Sequence, residues 1–307
     1  MPEGYTHIRT ARHAAALAQV SIADQAAFDC GANGPDILFC YRVWKSSQKR
    51  GENLPELGER LHNENTGTFL QSLLETAKTP QERSYALGFL CHYATDCVLH
   101  PYVVMITQPD QLYGQPGGHG YFEIALDSYL HKQDTGRASV PVKDNTPKLS
   151  PSALDGAVNL LQAAIQTTLG VSVSRQALTD TFAHTRLLRG QFVSRLRIKY
   201  ALFWLVEPII GHRGFITGHI TPARLKTKSG TIADLPAEWI HPFTKEPRRE
   251  SVGDLLEEAT RRSAAFLLAA QGYWEGKLTL PHVMELIGSN SYLSGLPDAQ
   301  SAPQSST

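Results

Sequence analysis

His92, Asp96 and His100 follow one another at intervals of four residues, and His119 and Glu123 repeat the interval further on. Imidazole and carboxylate at that pitch are a chelate for divalent cations. In a helix, four residues turn the side chain by only about 40° and raise it about 6 Å, so the three share one stripe. Leu87, Leu90, Ala94 and Val98 form a core-facing stripe on the other side, and Tyr85, Phe89 and Tyr93 sit on or beside the polar one. A helix apolar almost all round is buried. Asp96 then needs a counter-charge, yet no Lys or Arg occurs between Arg83 and Lys132. A divalent cation supplies one. His92 and His100 lie about 12 Å apart along the axis, whereas zinc ligands sit about 2.0–2.2 Å from the ion. One ion cannot take both, and Asp96 is the natural bridge in a cluster. Two ions about 3.5–4 Å apart hold the attacking and leaving oxygens of a phosphoryl transfer.

His119 and Glu123 open the next helix after a Gly/Pro-rich loop from Gln108 to Gly118. The spacing continues to Asp127 and His131, for which a solvated helix face is expected; the other reading makes Asp127 an acceptor behind a ligand imidazole. Three upstream residues extend the set. Asp36 stands in Asn33-Gly34-Pro35-Asp36-Ile37-Leu38-Phe39, His62 in Arg60-Leu61-His62-Asn63-Glu64, and His7 in Tyr5-Thr6-His7. Alone, each has an ordinary explanation: a helix start for Asp36, a surface histidine, a chain terminus.

In that order, the residues resemble the zinc-dependent phospholipase C family, including its small bacterial members, which shares a fold with fungal zinc-dependent single-strand nucleases. The similarity rests on Met1 to His7, Gly34 to Phe39, His62, His92-Tyr93-Ala94-Thr95-Asp96 with His100-Pro101, and His119 with Glu123. It covers Met1 to Lys132; beyond that only Trp239-Ile240-His241-Pro242-Phe243-Thr244 is similar. The resemblance implies an all-α bundle around a buried multi-metal site and a zinc-dependent phosphodiesterase acting on a phospholipid or related ester. It implies that Asp36, His62, His92 and Asp96 surround one zinc, with Asp96 bridging and Asp36 orienting or deprotonating the attacking water. His100, His119 and Glu123 hold another. His7 belongs to a third, which the family completes with an N-terminal Trp; here Met1-Pro2-Glu3 stands instead, so two or three zinc ions are expected.

Hydrolysis by metal-activated water requires no protein nucleophile. There is no Gly-x-Ser-x-Gly elbow and no C-x-x-C pair, which disfavours serine or cysteine chemistry. Cys91 and Cys97 read as small buried residues. The alternatives are a single-strand nuclease and a non-catalytic, metal-stabilised binding protein.

The elements that must hold these side chains are helical by their three-to-four spacing: Thr10 to Val20, Leu54 to Lys78, Gln81 to His100, His119 to Lys132, Ser152 to Leu169, Thr185 to Val206, Ser251 to Gln271 and Pro281 to Ile287. A small β-hairpin is expected in Gly211 to Gly230. A metal-binding core over 1–150, a C-terminal helical part over 151–293 and a disordered Ser/Pro/Gln-rich tail over 294–307 are the expected divisions. Net charge is zero, which disfavours nucleic acid as partner. From Arg186 to Lys228, however, nine basic residues meet one acidic residue, Glu207, among Phe192, Tyr200, Phe203, Trp204 and Phe215. A solvated cationic face is the plain expectation, and the sharper one is a docking surface for nucleic acid phosphates or for lipid headgroups in transient contact with a membrane surface. No transmembrane segment or apolar signal core is visible, and the expected address is cytoplasmic.

Overall fold

Helix α5, Pro80–Ile106, carries His92, Asp96 and His100 through the middle of the molecule. It starts on a capping box in which the Thr79 side chain accepts from the Glu82 amide and Glu82 returns the bond, with Pro80 in the first turn. Nearly every one of its residues is buried, as its all-round apolar character requires. The sequence suggests a stop before Pro101, but the helix runs on to Ile106. Tyr102, Val103 and Ile106 are buried there with Phe122, Trp239 and Leu255, and this packing outweighs the bond that proline removes.

The computed structural model describes residues 4–194, 196, 198–210, 214 and 216–298. Around α5 stand α1 (Gly4–Leu17), α2 (Gln25–Gly31), a 3-10 segment (Gly34–Cys40), α3 (Leu54–Asn63), α4 (Thr66–Thr76) and α6 (Gly118–Thr135). After these come α7 (Val142–Asn145), α8 (Pro151–Leu169), α9 (Arg175–Gln191), α10 (Ile198–Ile210), α11 (Val252–Trp274) and α12 (Leu280–Ile287). The fold is all-α. One apolar core gathers α1, α2, α4, α8, α11 and α12 on the first half of α5, and a second joins its C-terminal half to α6, the 223–239 stretch and the start of α11. Helix α2, which the sequence did not announce, crosses α5 with backbones almost touching. A Cβ on Gly31 would stand 2.1 Å from the Tyr85 carbonyl oxygen, and one on Gly88 2.0 Å from that of Phe28.

Several expected boundaries move. The single helix over Leu54 to Lys78 breaks at Asn65, whose φ of 52° is left-handed. The helix expected over Thr185 to Val206 is two, and the first begins at Arg175, where the Ser174 side chain accepts from the Ala177 amide. The hairpin expected in Gly211 to Gly230 does not form among the described residues, and 211–213 and 215 lie outside them. Ile220, Ala223 and Leu225 bury their side chains there instead of pairing. The antiparallel ladder is β1 (Trp239–Ile240) with β2 (Pro247–Arg248), Trp239 opposite Arg248. The start of the expected disordered tail is fixed by capture of Asp298, whose carboxylate accepts from the Thr66 amide at 3.0 Å and from the Ser289 hydroxyl at 2.7 Å. Residues 299–307 lie outside the described residues. Among the described residues no helix is long and apolar enough to cross a membrane.

Candidate metal centre

The first turn of helix α1 is held by a side chain of α6. The Asp127 carboxylate accepts from the Tyr5 amide at 3.0 Å, the Thr6 amide at 2.7 Å and the Thr6 hydroxyl at 2.5 Å, satisfying donors that a helix start leaves open. This seats His7 over α5: its ring centroid is 4.4 Å from that of His92, and its Nε2 is 3.3 Å from Asp96 Oδ1.

Asp36 arrives from the opposite side on the 3-10 segment. Gly34 makes that possible, with a φ of +52° and a position at which a Cβ would lie 2.1 Å from His92 Cδ2. Asp36 Oδ1 is then 2.9 Å from His62 Nε2, and Oδ2 is 3.6 Å from His92 Nε2. Asp96 Oδ2 is 3.0 Å from His92 Nε2, whereas Oδ1 faces His100 Nδ1 at 3.6 Å. Glu123 Oε1 is 3.4 Å from His100 Nε2 and 3.1 Å from His119 Nε2. The side chain of His119 is 43% exposed while those of His100 and Glu123 are enclosed, so the centre opens to solvent on the His119 side.

Backbone carbonyls fix the rings. The Nδ1 atoms of His62, His92 and His100 meet the carbonyls of Gly58 at 2.6 Å, Ala32 at 3.2 Å and Tyr292 at 3.2 Å. An imidazole that donates through Nδ1 presents the lone pair of Nε2, the arrangement of a metal-ligating histidine.

All eight residues singled out in the sequence are therefore brought together, six of them buried and His119 at the solvent edge. Candidate ligand atoms of His7, Asp36, His92 and Asp96 lie within 4.8 Å of one another, and those of His100, His119 and Glu123 form a second such set. The grouping differs from the expected one in two respects. His62 lies outside the first set and joins it through Asp36. His7 stands with Asp36, His92 and Asp96 rather than apart, because the Asp127 clamp lays the first turn of α1 across α5.

The donor atoms fit cations. His7 Nδ1 and Glu123 Oε2 are buried without a hydrogen-bond partner, and His92 Nε2 and Asp96 Oδ2 are left with their mutual 3.0 Å approach, a costly condition for polar atoms unless an ion occupies the space between them. Burial raises the Asp96 carboxyl, but His100, His92 and His7 together hold it far below the carboxylate range. Burial likewise raises Glu123, and His119 and His100 pull it down. Burial would lower His100, yet Asp96 and Glu123 push it up to about 10. Carboxylates driven down and an imidazole driven up mark a pocket that demands positive charge. His7 differs: burial and the neighbouring His92 lower it to about 4, so its ring is neutral at pH 7.

Two expectations are corrected. Asp127 and His131 are buried rather than solvated. Asp127 clamps α1, and His131 packs edge-on against Tyr5, with Nε2 3.3 Å from Asp144. Both continue the stripe of His119 and Glu123, so the spacing carried the signal. No side-chain pattern announces the carbonyls of Ala32, Gly58 and Tyr292. Cys91 and Cys97 are buried thiols, and burial pushes Cys97 up to about 12. His241 sits in the β1–β2 turn, where its Nδ1 accepts from the Phe243 and Thr244 amides.

No curated protein and no solved structure matches the chain. The family model described as zinc dependent phospholipase C matches residues 6–170, a span that holds all eight of these side chains. That match covers more than half of the sequence, and the chain belongs to the zinc dependent phospholipase C family.

Proposed function

We propose that this chain hydrolyses a phosphodiester, with a phospholipid as substrate and zinc as the resident metal. The observation that carries the proposal is Asp96, whose two oxygens face different partners: Oδ2 lies by His92, and Oδ1 lies between His7 and His100. A carboxylate so placed would help to hold cations on either side of it. His7, Asp36, His92 and Asp96 would hold one part of the cluster, with His62 beside Asp36, and His100, His119 and Glu123 the other. When bound, the ions supply Lewis-acid charge for a phosphate diester and acidify water.

The chain's own residues do the rest. Asp36 keeps one oxygen on His62 and turns the other inward, which suits it to orient a water or take its proton. The carbonyls behind His62, His92 and His100 hold the rings against rotation, so their Nε2 atoms need no reorganisation as a substrate arrives. The exposed edge of His119 is the side from which a phosphate reaches the cluster.

The test is elemental analysis of protein purified without chelator, combined with turnover on a panel of lipid diesters and oligonucleotides. Zinc with lipid cleavage supports the proposal. Oligonucleotide cleavage alone assigns a nuclease, and retained metal without turnover on any diester makes the chain a metal-stabilised binding protein.

A further inference from the structure

Helix α10 is amphipathic in the wrong sense for a soluble protein. Ile198, Leu202, Leu205 and Ile209 recur at the spacing of one helical stripe, and that stripe faces outward: Ile198 is 68%, Leu202 59%, Leu205 66% and Ile209 84% exposed. Leu187 at the end of α9 and Leu196 between the helices add exposed apolar surface. Contiguous apolar surface of this kind marks a place where something docks.

Charge in the same region has one sign. Glu207, the only acidic residue between Arg186 and Lys228, is buried and turned to the inner side of α10. There its carboxylate accepts from the amides of Gly214 at 3.0 Å, Ile216 at 2.6 Å and Thr217 at 2.6 Å, and from the Thr217 hydroxyl at 2.8 Å. Among the described residues from Arg186 to Lys228 the exposed charged groups are cations, Arg224, Lys226 and Lys228, and the exposed carboxylate nearest to them in sequence, Asp234, is turned onto Ser229. The same carboxylate fixes α10 to the Thr217–His219 turn, which packs on the start of α6 with the His219 ring against Gly120. Gly120 follows His119, the open edge of the metal centre. The stripe is thus anchored beside the way in.

We propose that α10 is an interfacial helix that seats the protein on an anionic lipid surface, its apolar stripe entering the acyl boundary and the neighbouring cations meeting headgroup phosphates. The inference rests on the lipid-hydrolase reading above and adds how the substrate surface is met. An outward apolar stripe in a segment whose described exposed charges are cations suits a lipid interface.

The experiment is co-sedimentation of the full chain with phosphatidylcholine vesicles, with and without phosphatidylserine, for the parent and for Leu202→Glu/Leu205→Glu. Both positions are exposed, so the variant keeps its fold; Leu202→Ser/Leu205→Ser is the milder second variant. The parent is expected to bind phosphatidylserine vesicles more tightly than neutral ones, and less as salt rises. The glutamate pair is expected to weaken that binding on the order of a hundredfold, and to slow cleavage of vesicle lipid but not of a soluble short-chain phosphodiester. Equal vesicle binding by parent and glutamate variant overturns the inference. So does light scattering that finds the parent a dimer and the variant a monomer, which would give the stripe to a second copy. Vesicle binding lost in the variant, with no diester cleaved by the parent, keeps the docking helix and removes the hydrolase reading instead.

Discussion

Alanine at position 34 is expected to damage the metal centre without touching a candidate ligand. The added methyl would lie 2.1 Å from Cδ2 and 2.4 Å from Cγ of the His92 ring, at a backbone φ of +52°. A left-handed backbone costs an L residue roughly 1–2 kcal/mol, and overpacking a core adds about 1–3 kcal/mol. The loss is about 2–5 kcal/mol together, and at about 2–4 °C per kcal/mol the melting temperature falls by at least about 4 °C. His92 has nowhere to retreat: it is fully buried, with Nδ1 on the Ala32 carbonyl and the His7 ring 4.4 Å away. The 3-10 segment must move instead and take Asp36 with it, so zinc per chain drops as well. Gly136→Ala is the control, since φ there is +74° but nothing lies within 4 Å of the new Cβ. It carries the backbone cost alone. Thermal unfolding and elemental analysis of both variants decide the matter. If Gly34→Ala matches Gly136→Ala in melting temperature and zinc content, the reasoning about close approach to His92 is wrong.

Asp96→Asn is expected to lose metal and activity together, the latter by at least about a hundredfold; a variant with its full zinc content would end the bridging assignment. Asp36→Asn should keep most of its metal while kcat falls by roughly 10²–10⁴-fold, and a rate equal to the parent's would remove Asp36 from catalysis. Asp127→Ala strips the acceptor from the Tyr5 and Thr6 amides, costing about 1–3 kcal/mol and loosening His7. An unchanged melting temperature would refute the clamp. Desolvation raises the Asp134 carboxyl, but Arg9 and Tyr5 hold it below its ordinary range. Its contribution to stability is therefore present above about pH 4 and lost as pH falls through the depressed value. Asp134→Asn should flatten that acid limb of a stability–pH curve, and an identical limb would sink the assignment.

The helical fold and two neighbours of Asp96, His92 and His100, could be read from the chain because both rest on local periodicity. Spacing of four puts His92, Asp96 and His100 on one stripe whatever surrounds them, and the missing cations from Arg83 to Lys132 give the stripe its meaning. Long-range events were closed to such reading. That His7 lies on His92 depends on an aspartate 121 positions beyond Thr6. The outward face of α10 depends on where Glu207 finds its amides, so a segment expected as a solvated cationic face also presents Leu202 and Ile209. Asn65 splits one expected helix in two through a backbone angle that composition does not specify.

Tyr292 has a part in the metal centre out of proportion to its distance along the chain. Its carbonyl meets His100 Nδ1 at 3.2 Å, and its amide donates to the His62 carbonyl at 2.9 Å, so a residue far past the matched span of 6–170 orients one histidine and ties down the helix end of another. During synthesis the nascent chain meets the ribosome exit from its N-terminus onward, and everything up to Tyr292 must emerge before those two imidazoles are locked. Metal capture is accordingly expected to follow the arrival of Tyr292, with the ion sealing a site already assembled rather than seeding its folding.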